Sequence, residues 1–200
     1  MVKKNNALIV FVKNTDTDHV KTRIAATEGA IKAKEIYTEL VNHCKSLCSS
    51  LTDIDVIIYF SHHTEDESWP FIKKIQSGDD LGSKMSHAFE ITLNDYHKVV
   101  TIGSDCPYLK KELIIEAFEN LNKVDIVIGP AFDGGYYLIG LKKEFPEIFQ
   151  GIEWSTNRVF NQTIDVAFFH SKSISTLEYL EDIDIIEDYL KWKRSTLISI

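Results

Sequence analysis

The chain is poor in the residues that mark several common protein classes. It has three cysteines, Cys44, Cys48 and Cys106, an odd number with no zinc-type spacing, which excludes a disulfide scaffold. Cys44 and Cys48 are four apart and share a helix face, so all three read as reduced thiols packed as small hydrophobes. Four prolines and nine glycines in 200 residues form no linker, repeat or low-complexity tract. Residues 1–200 are therefore expected to form one domain. Cations are scarce: 22 Lys and Arg face 30 Asp and Glu, a net charge of −8. That excludes a broad basic surface for nucleic acid but leaves room for a small cationic pocket. No apolar run approaches the ~20 residues of a membrane span. The apolar stretch after Met1-Val2-Lys3-Lys4-Asn5-Asn6 is short, with no cleavage site, and does not read as a signal-peptide core. These absences lead to the expectation of a soluble, cytoplasmic protein. Gly-x-Gly-x-x-Gly and a phosphate loop ending in Gly-Lys-Ser/Thr are also missing, which disfavours the ordinary dinucleotide and phosphate-loop readings.

What is present alternates. Ala7–Val12, Ile54–Phe60, Lys98–Ile102, Val124–Ile128 and Tyr136–Ile139 are short apolar runs rich in β-branched and aromatic residues, suited to strands buried on both faces. Between them, residues 29–48, 81–93 and 113–121 repeat apolar positions at helical spacing, with Ile31 among those expected inward. Ser155–Phe169 and Ile185–Leu197 read as further helices, and Ser173–Leu177 as a short strand. This predicts an α/β fold with three α/β/α layers around a mostly parallel sheet.

Sheets of this kind bind ligands beyond the carboxyl ends of their strands. Lys13 follows the first strand, and Lys21, Thr22 and Arg23 stand near the start of the first helix, where cations and free N–H groups suit an anion. Asp105 follows the third strand in Gly103-Ser104-Asp105-Cys106-Pro107. A fixed carboxylate there suits Mg²⁺ or Mn²⁺, which take hard oxygen ligands and keep water or phosphate in the remaining positions. Helix capping is the plainer role, but Asp105 lies early for it. Asp133-Gly134-Gly135-Tyr136-Tyr137 combines a carboxylate, two glycines that permit close approach, and flat aromatic faces; a simple turn is the alternative. Asp184 reads as an N-cap with Glu187 completing a capping box, or as a second metal ligand. His62-His63-Thr64-Glu65 lacks the spacing of a metal motif.

Phe11-Val12-Lys13-Asn14 with Val20-Lys21-Thr22-Arg23, Asp80-Leu81-Gly82-Ser83-Lys84-Met85, Gly103–Pro107, Gly129–Gly140, Trp154-Ser155-Thr156 and Asp182–Asp188 together resemble a bacterial glycosyltransferase family of the nucleotide-diphospho-sugar transferase superfamily. Members are associated with radical-SAM genes and arsenosugar synthesis. The resemblance implies a GT-A-like fold, with Asp105 and Asp184 as metal ligands, and Lys21, Arg23 and Lys84 near phosphates. It also implies that Asp133, Gly134, Gly135, Tyr136 and Trp154 border the donor or acceptor. The chain departs from the family where Thr15 and Asp18 replace a proline and a glycine, and where Lys84 replaces an arginine. A carboxylate at 18 is expected to repel an anionic donor, and Lys84 lacks bidentate phosphate geometry.

Three functions follow. The first is a metal-dependent glycosyltransferase using a nucleotide-sugar and a small-molecule acceptor, with Asp105 and Asp133 catalytic. The second is a nucleotidyltransferase acting on a nucleoside triphosphate. The third is a degenerate nucleotide- or partner-binding protein. The lack of a glycine-rich first loop places glycosyl transfer ahead of nucleotidyl transfer.

Overall fold

The computed structural model describes residues 3–17, 19–66 and 68–198, with side chains to 196. Seven strands form one sheet in the order β3-β2-β1-β4-β6-β5-β7. They are β1 (Lys4–Val12), β2 (Asp55–Phe60), β3 (Ile72–Ile75), β4 (Tyr96–Gly103), β5 (Ile126–Pro130), β6 (Tyr136–Leu141) and β7 (Ile174–Thr176). Only β6 runs antiparallel to its neighbours, between β4 and β5; the pairs β1–β2, β1–β4, β2–β3 and β5–β7 are parallel. The fold is the expected α/β class with a mostly parallel central sheet.

Alternation along β1 explains the layering. Leu8, Val10 and Val12 point to one side, where they meet α2 (Ala30–Ser49) through Cys44 and Cys48, and α4 (Lys111–Asn120) through Leu113, Ile114 and Ala117. Ala7 and Ile9 point to the other side, towards α3 (Leu81–Asp95) through Met85, Ala88 and Phe89, and towards α5 (Val159–Phe169) through Ala167. Each strand residue thus has apolar contact whichever way it faces, which is why the central strands are continuous apolar runs. A third cluster joins Ile24 of α1 (Thr22–Glu28) and Ile36 and Leu40 of α2 to Ile183 and to Trp192 of α6 (Ile186–Ile198).

One expectation is corrected and two elements are added. The helix read from residue 29 is preceded by a separate one, because Gly29 at φ +88° breaks the path between α1 and α2. Ile31, expected inward, lies just past that break and is 80% exposed. β3 was absent from the sequence reading; it is an edge strand whose Lys73 and Lys74 interrupt the apolar pattern, and edge lysines deter pairing with another sheet.

At the start of α3, Asp80 Oδ1 accepts the Ser83 N–H at 2.7 Å while the Asp80 N–H donates to Ser83 Oγ at 3.0 Å, a reciprocal cap. The Ser83 N–H holds the Asp80 carboxyl below its usual pKa. Asp80→Ala should lower Tm by about 2–4 °C near pH 7. The difference should close as pH falls below the carboxylate range, because a lowered folded pKa contributes stability only where the carboxyl is ionised. Calorimetry at pH 7 and pH 3 checks both statements.

Candidate active site

The carboxyl ends of β1, β2, β4 and β5 open onto one rim. Two buried polar residues secure it. Asn14 Oδ1 accepts the His62 N–H at 2.9 Å and the Ser61 hydroxyl at 3.1 Å, tying the end of β1 to the end of β2. Tyr37 Oη, reaching up from α2, accepts the Lys13 N–H at 2.8 Å and the Ser104 hydroxyl at 3.1 Å, tying β1 to β4. Burial raises the Tyr37 phenol pKa, so it stays a neutral hydrogen-bonding post.

On this frame Lys21 and Asp105 meet. Lys21 Nζ lies 2.9 Å from Asp105 Oδ2 and donates to the Ile183 carbonyl at 2.5 Å. The Lys21 side chain is 4% exposed, so its ammonium is enclosed and needs these acceptors. Lys21 also adopts left-handed backbone, φ 47° and ψ 54°, ahead of α1, a conformation a non-glycine residue keeps only where its surroundings hold it. The Ile183 N–H donates to the Asp105 carbonyl at 3.1 Å. Asp105, Lys21 and the segment before α6 are thereby strapped together. Asp105 is not a helix cap: α4 begins at Lys111, with no side-chain cap.

The same strap decides how the two aspartates around Ile183 are used. Ile183 is fully buried. Asp184 faces outward and pairs with Arg23 at 2.8 Å. Asp182 faces the rim, where its Oδ1 is enclosed without a hydrogen-bond partner. Burial, with repulsion from Asp105 and Asp133 and partial relief from Lys21, pushes the Asp182 carboxyl up to about 7. Asp182 is thus a candidate site residue that the sequence reading did not single out. The capping box expected from Asp184 does not form. Asp188 Oδ2 instead reaches back to the N–H groups of Asp184 and Ile185, both at 3.0 Å.

Asp133 stands on the turn between β5 and β6, its Oδ1 accepting the Gly135 N–H at 2.8 Å. Gly134, at φ +91°, lets that turn press against Asn157. The other expected residues are dispersed. Lys13 and Thr22 are exposed on the first-loop side, where Thr15 and Asp16 line two recesses of 350 and 490 Å³. Asp18, expected to hinder an anionic donor, lies outside the described residues. Lys84 sits in the first turn of α3. Tyr136 and Trp154 pack edge-on at 6.4 Å and join the core on the α3 side. His63 pairs with Asp16 at 2.9 Å rather than forming a metal cluster with its neighbours. Cys44 and Cys48 are buried free thiols, and Cys106 is a partly buried one.

The residues fit a hard divalent cation only in part. Among the described residues, no three His, Cys, Asp or Glu side chains group as a complete metal site. Two carboxylates, one with an enclosed unpartnered oxygen, still match an ion that takes its other ligands from phosphate and water.

A mostly parallel sheet flanked by helices on both faces is the architecture of nucleotide-diphospho-sugar transferase-like proteins. Within that class the chain belongs to the family described as uncharacterized protein conserved in bacteria (DUF2064), which matches residues 47–156. A solved structure from Desulfovibrio desulfuricans G20, provisionally classed as a nucleotide-diphospho-sugar transferase, is 32% identical with a TM-score of 0.84; the match covers 91% of this chain and 83% of that one. The 2-phospho-L-lactate guanylyltransferase of Methanothermobacter thermautotrophicus is 24% identical over 183 residues, 82% of this chain and 78% of its own length. CMP:2-keto-3-deoxy-manno-octonic acid synthetase, solved with CTP, shares the fold at a TM-score of 0.67 with 6% identity, over 98% of this chain and all of its own. The first two are named as transferases and the third shows the fold alone; the guanylyltransferase backs the nucleotidyl alternative better than the glycosyl reading drawn from the first loop. The arsenosugar and radical-SAM association implied by the resemblance finds no support among these relatives. No helix among the described residues is long and apolar enough to cross a membrane.

Proposed function

We propose that the protein is a nucleotidyltransferase. An acceptor oxygen attacks the α-phosphorus of a nucleoside triphosphate, the α–β bridging bond breaks, and pyrophosphate leaves. The carboxylate cluster of Asp105, Asp133 and Asp182 beside the enclosed ammonium of Lys21 carries this reading. So anionic a rim repels a triphosphate unless a cation intervenes. We assign Mg²⁺ or Mn²⁺ to Asp105 and Asp182, replacing the expected pair of Asp105 and Asp184, since Asp182 shares the rim with Asp105 while Asp184 turns outward. When bound, the ion would neutralise phosphate charge and polarise the phosphoryl oxygens. Lys21 provides the fixed positive charge beside it, and Asp133 is placed to orient the acceptor from the opposite strand turn. Arg23, 68% exposed on its side chain, is free to exchange Asp184 for a phosphate oxygen. The proposed setting is cytoplasmic.

A thermal-shift screen of nucleoside triphosphates, diphosphates and nucleotide-sugars, with and without Mn²⁺, tests the reading. Stabilisation by a triphosphate that requires Mn²⁺ supports it. Preference for a nucleoside diphosphate and its sugar reinstates glycosyl transfer, and no shift with any nucleotide leaves a degenerate binding protein. Asp105→Asn should stay folded and lose Mn²⁺-dependent nucleotide binding by at least about tenfold, since losing one of two anionic ligands costs more than ~1.4 kcal/mol. Calorimetric titration decides this, and unchanged affinity removes Asp105 from the site.

A further inference from the structure

Beside the carboxylates lies an aromatic recess that nucleotide binding does not explain. Phe132 is 71% exposed and Tyr179 is 50% exposed. Their rings lie 5.5 Å apart, tilted by 36°, and Phe160 meets Tyr179 nearly edge-on at 6.1 Å. With Asn157 and Asn161 they line a recess of 270 Å³ whose walls carry no charged residue. In a chain this acidic, a wholly uncharged, ring-lined recess at the rim is a local departure.

Its position is tied to the carboxylates by the backbone. The segment Phe132-Asp133 supplies one ring and one carboxylate, and the segment Tyr179–Asp182 supplies a second ring and the Asp182 carboxylate, its Glu181 being paired with Lys191. The two segments are joined by the Phe132 N–H donating to the Leu180 carbonyl and the Leu180 N–H donating to the Pro130 carbonyl, both at 3.1 Å. The third side is fixed by the Phe160 N–H donating to the Gly134 carbonyl at 2.8 Å. A molecule seated on the rings is therefore held at a constant offset from Asp133 and Asp182.

We infer that this recess is the acceptor subsite and that it takes one neutral pyranose ring; this rests on the transferase reading above. The lining chooses the class. With no cation, it does not hold a phosphate; with no carboxylate in its wall, it does not hold an ammonium. Aromatic faces carry partial negative charge and attract the weakly positive C–H face of a sugar ring. The amides of Asn157 and Asn161 both donate and accept, as sugar hydroxyls require. A flat aromatic ligand would leave those amides without a role. The volume lies just below the ~300–1,000 Å³ of ordinary ligand pockets, which suits a single ring.

Saturation-transfer NMR on the full chain tests this, using methyl α-D-glucopyranoside, methyl α-D-mannopyranoside and methyl α-D-galactopyranoside as probes, with phenol as the flat aromatic comparison. At least one glycoside should show transfer. Phe132→Ala and Tyr179→Ala should each reduce it at least fivefold, and Asn161→Ala should reduce it while leaving phenol unaffected. Both rings are exposed, so melting temperatures should hold; Phe132→Leu, which keeps apolar bulk but removes the π-face, provides a second variant. Absence of transfer to all three glycosides, transfer undiminished in the ring variants, or binding of phenol alone overturns the inference. GTP and CTP with Mn²⁺ are titrated in parallel. Nucleotide binding without glycoside binding removes the subsite and leaves the transferase reading intact. Ring-dependent glycoside binding without nucleotide binding keeps a pyranose site and removes the transferase reading.

Discussion

Asp182→Asn should make the metal-free protein more stable at pH 8 while disabling it. The Asp182 carboxyl is raised from 3.8 to about 7 by burial and by its acidic neighbours. Between those values the unfolded chain has released the proton and the folded chain retains it, so stability falls as pH rises through this window and is constant above it. The full shift corresponds to roughly 4 kcal/mol at ~1.4 kcal/mol per pKa unit. An asparagine still encloses an unpartnered polar group, so a net gain of about 1–3 kcal/mol is expected. Urea denaturation in EDTA should show that gain at pH 8 and a loss of about 1–3 kcal/mol near pH 4, where the folded carboxyl is protonated and only the asparagine's penalty remains. Equal differences at the two pH values would mean that ionisation is not its source. The same variant should bind Mn²⁺ at least about tenfold more weakly, a loss of more than ~1.4 kcal/mol. A site that weakens the fold that holds it is a common stability–function trade.

Gly134→Ala should be among the most damaging single-methyl additions in the chain. At φ +91° an L side chain is strained, and a Cβ there would lie 2.6 Å from both the Cα and the carbonyl carbon of Asn157, closer still to its oxygen. Those are backbone atoms at the entrance to α5 and have no rotamer to change. Strain and overpacking together should cost about 3 kcal/mol or more, lowering Tm by roughly 6–12 °C. Gly151 is the control. It also has positive φ, +70°, but a Cβ there would meet nothing within 4 Å. Gly151→Ala should therefore lose only the conformational share, about 1 kcal/mol. Comparable losses in both variants would show that the Gly134–Asn157 contact yields.

The central strands were legible because burial on both faces leaves an unbroken apolar run, as in Ala7–Val12. The rim positions followed, since whatever succeeds such a strand in a parallel sheet faces the ligand edge; Asp105 and Asp133 were picked as candidates in that way. Asp182 was not. Asp182-Ile183-Asp184 is symmetric in sequence, and only the docking of Ile183 against Ile24 and Leu40 decides which aspartate turns to the rim. The aromatic recess was hidden for a related reason. Phe132, Phe160 and Tyr179 lie far apart in the chain and are gathered by backbone hydrogen bonds that no local pattern encodes. β3 was missed because an exposed edge does not demand apolar residues.

The strap through Ile183 also bears on biosynthesis. Among the described residues every strand is complete by Thr176, so a nascent chain exposed to that point holds all seven. It still lacks Tyr179, Asp182, and the Ile183 carbonyl that receives the Lys21 ammonium. Lys21 would then be oriented by Asp105 alone, with the rim short of a carboxylate and the aromatic recess short of a wall. Assembly of the sheet and completion of the proposed site therefore draw on different stretches of the chain, and the first can precede the second.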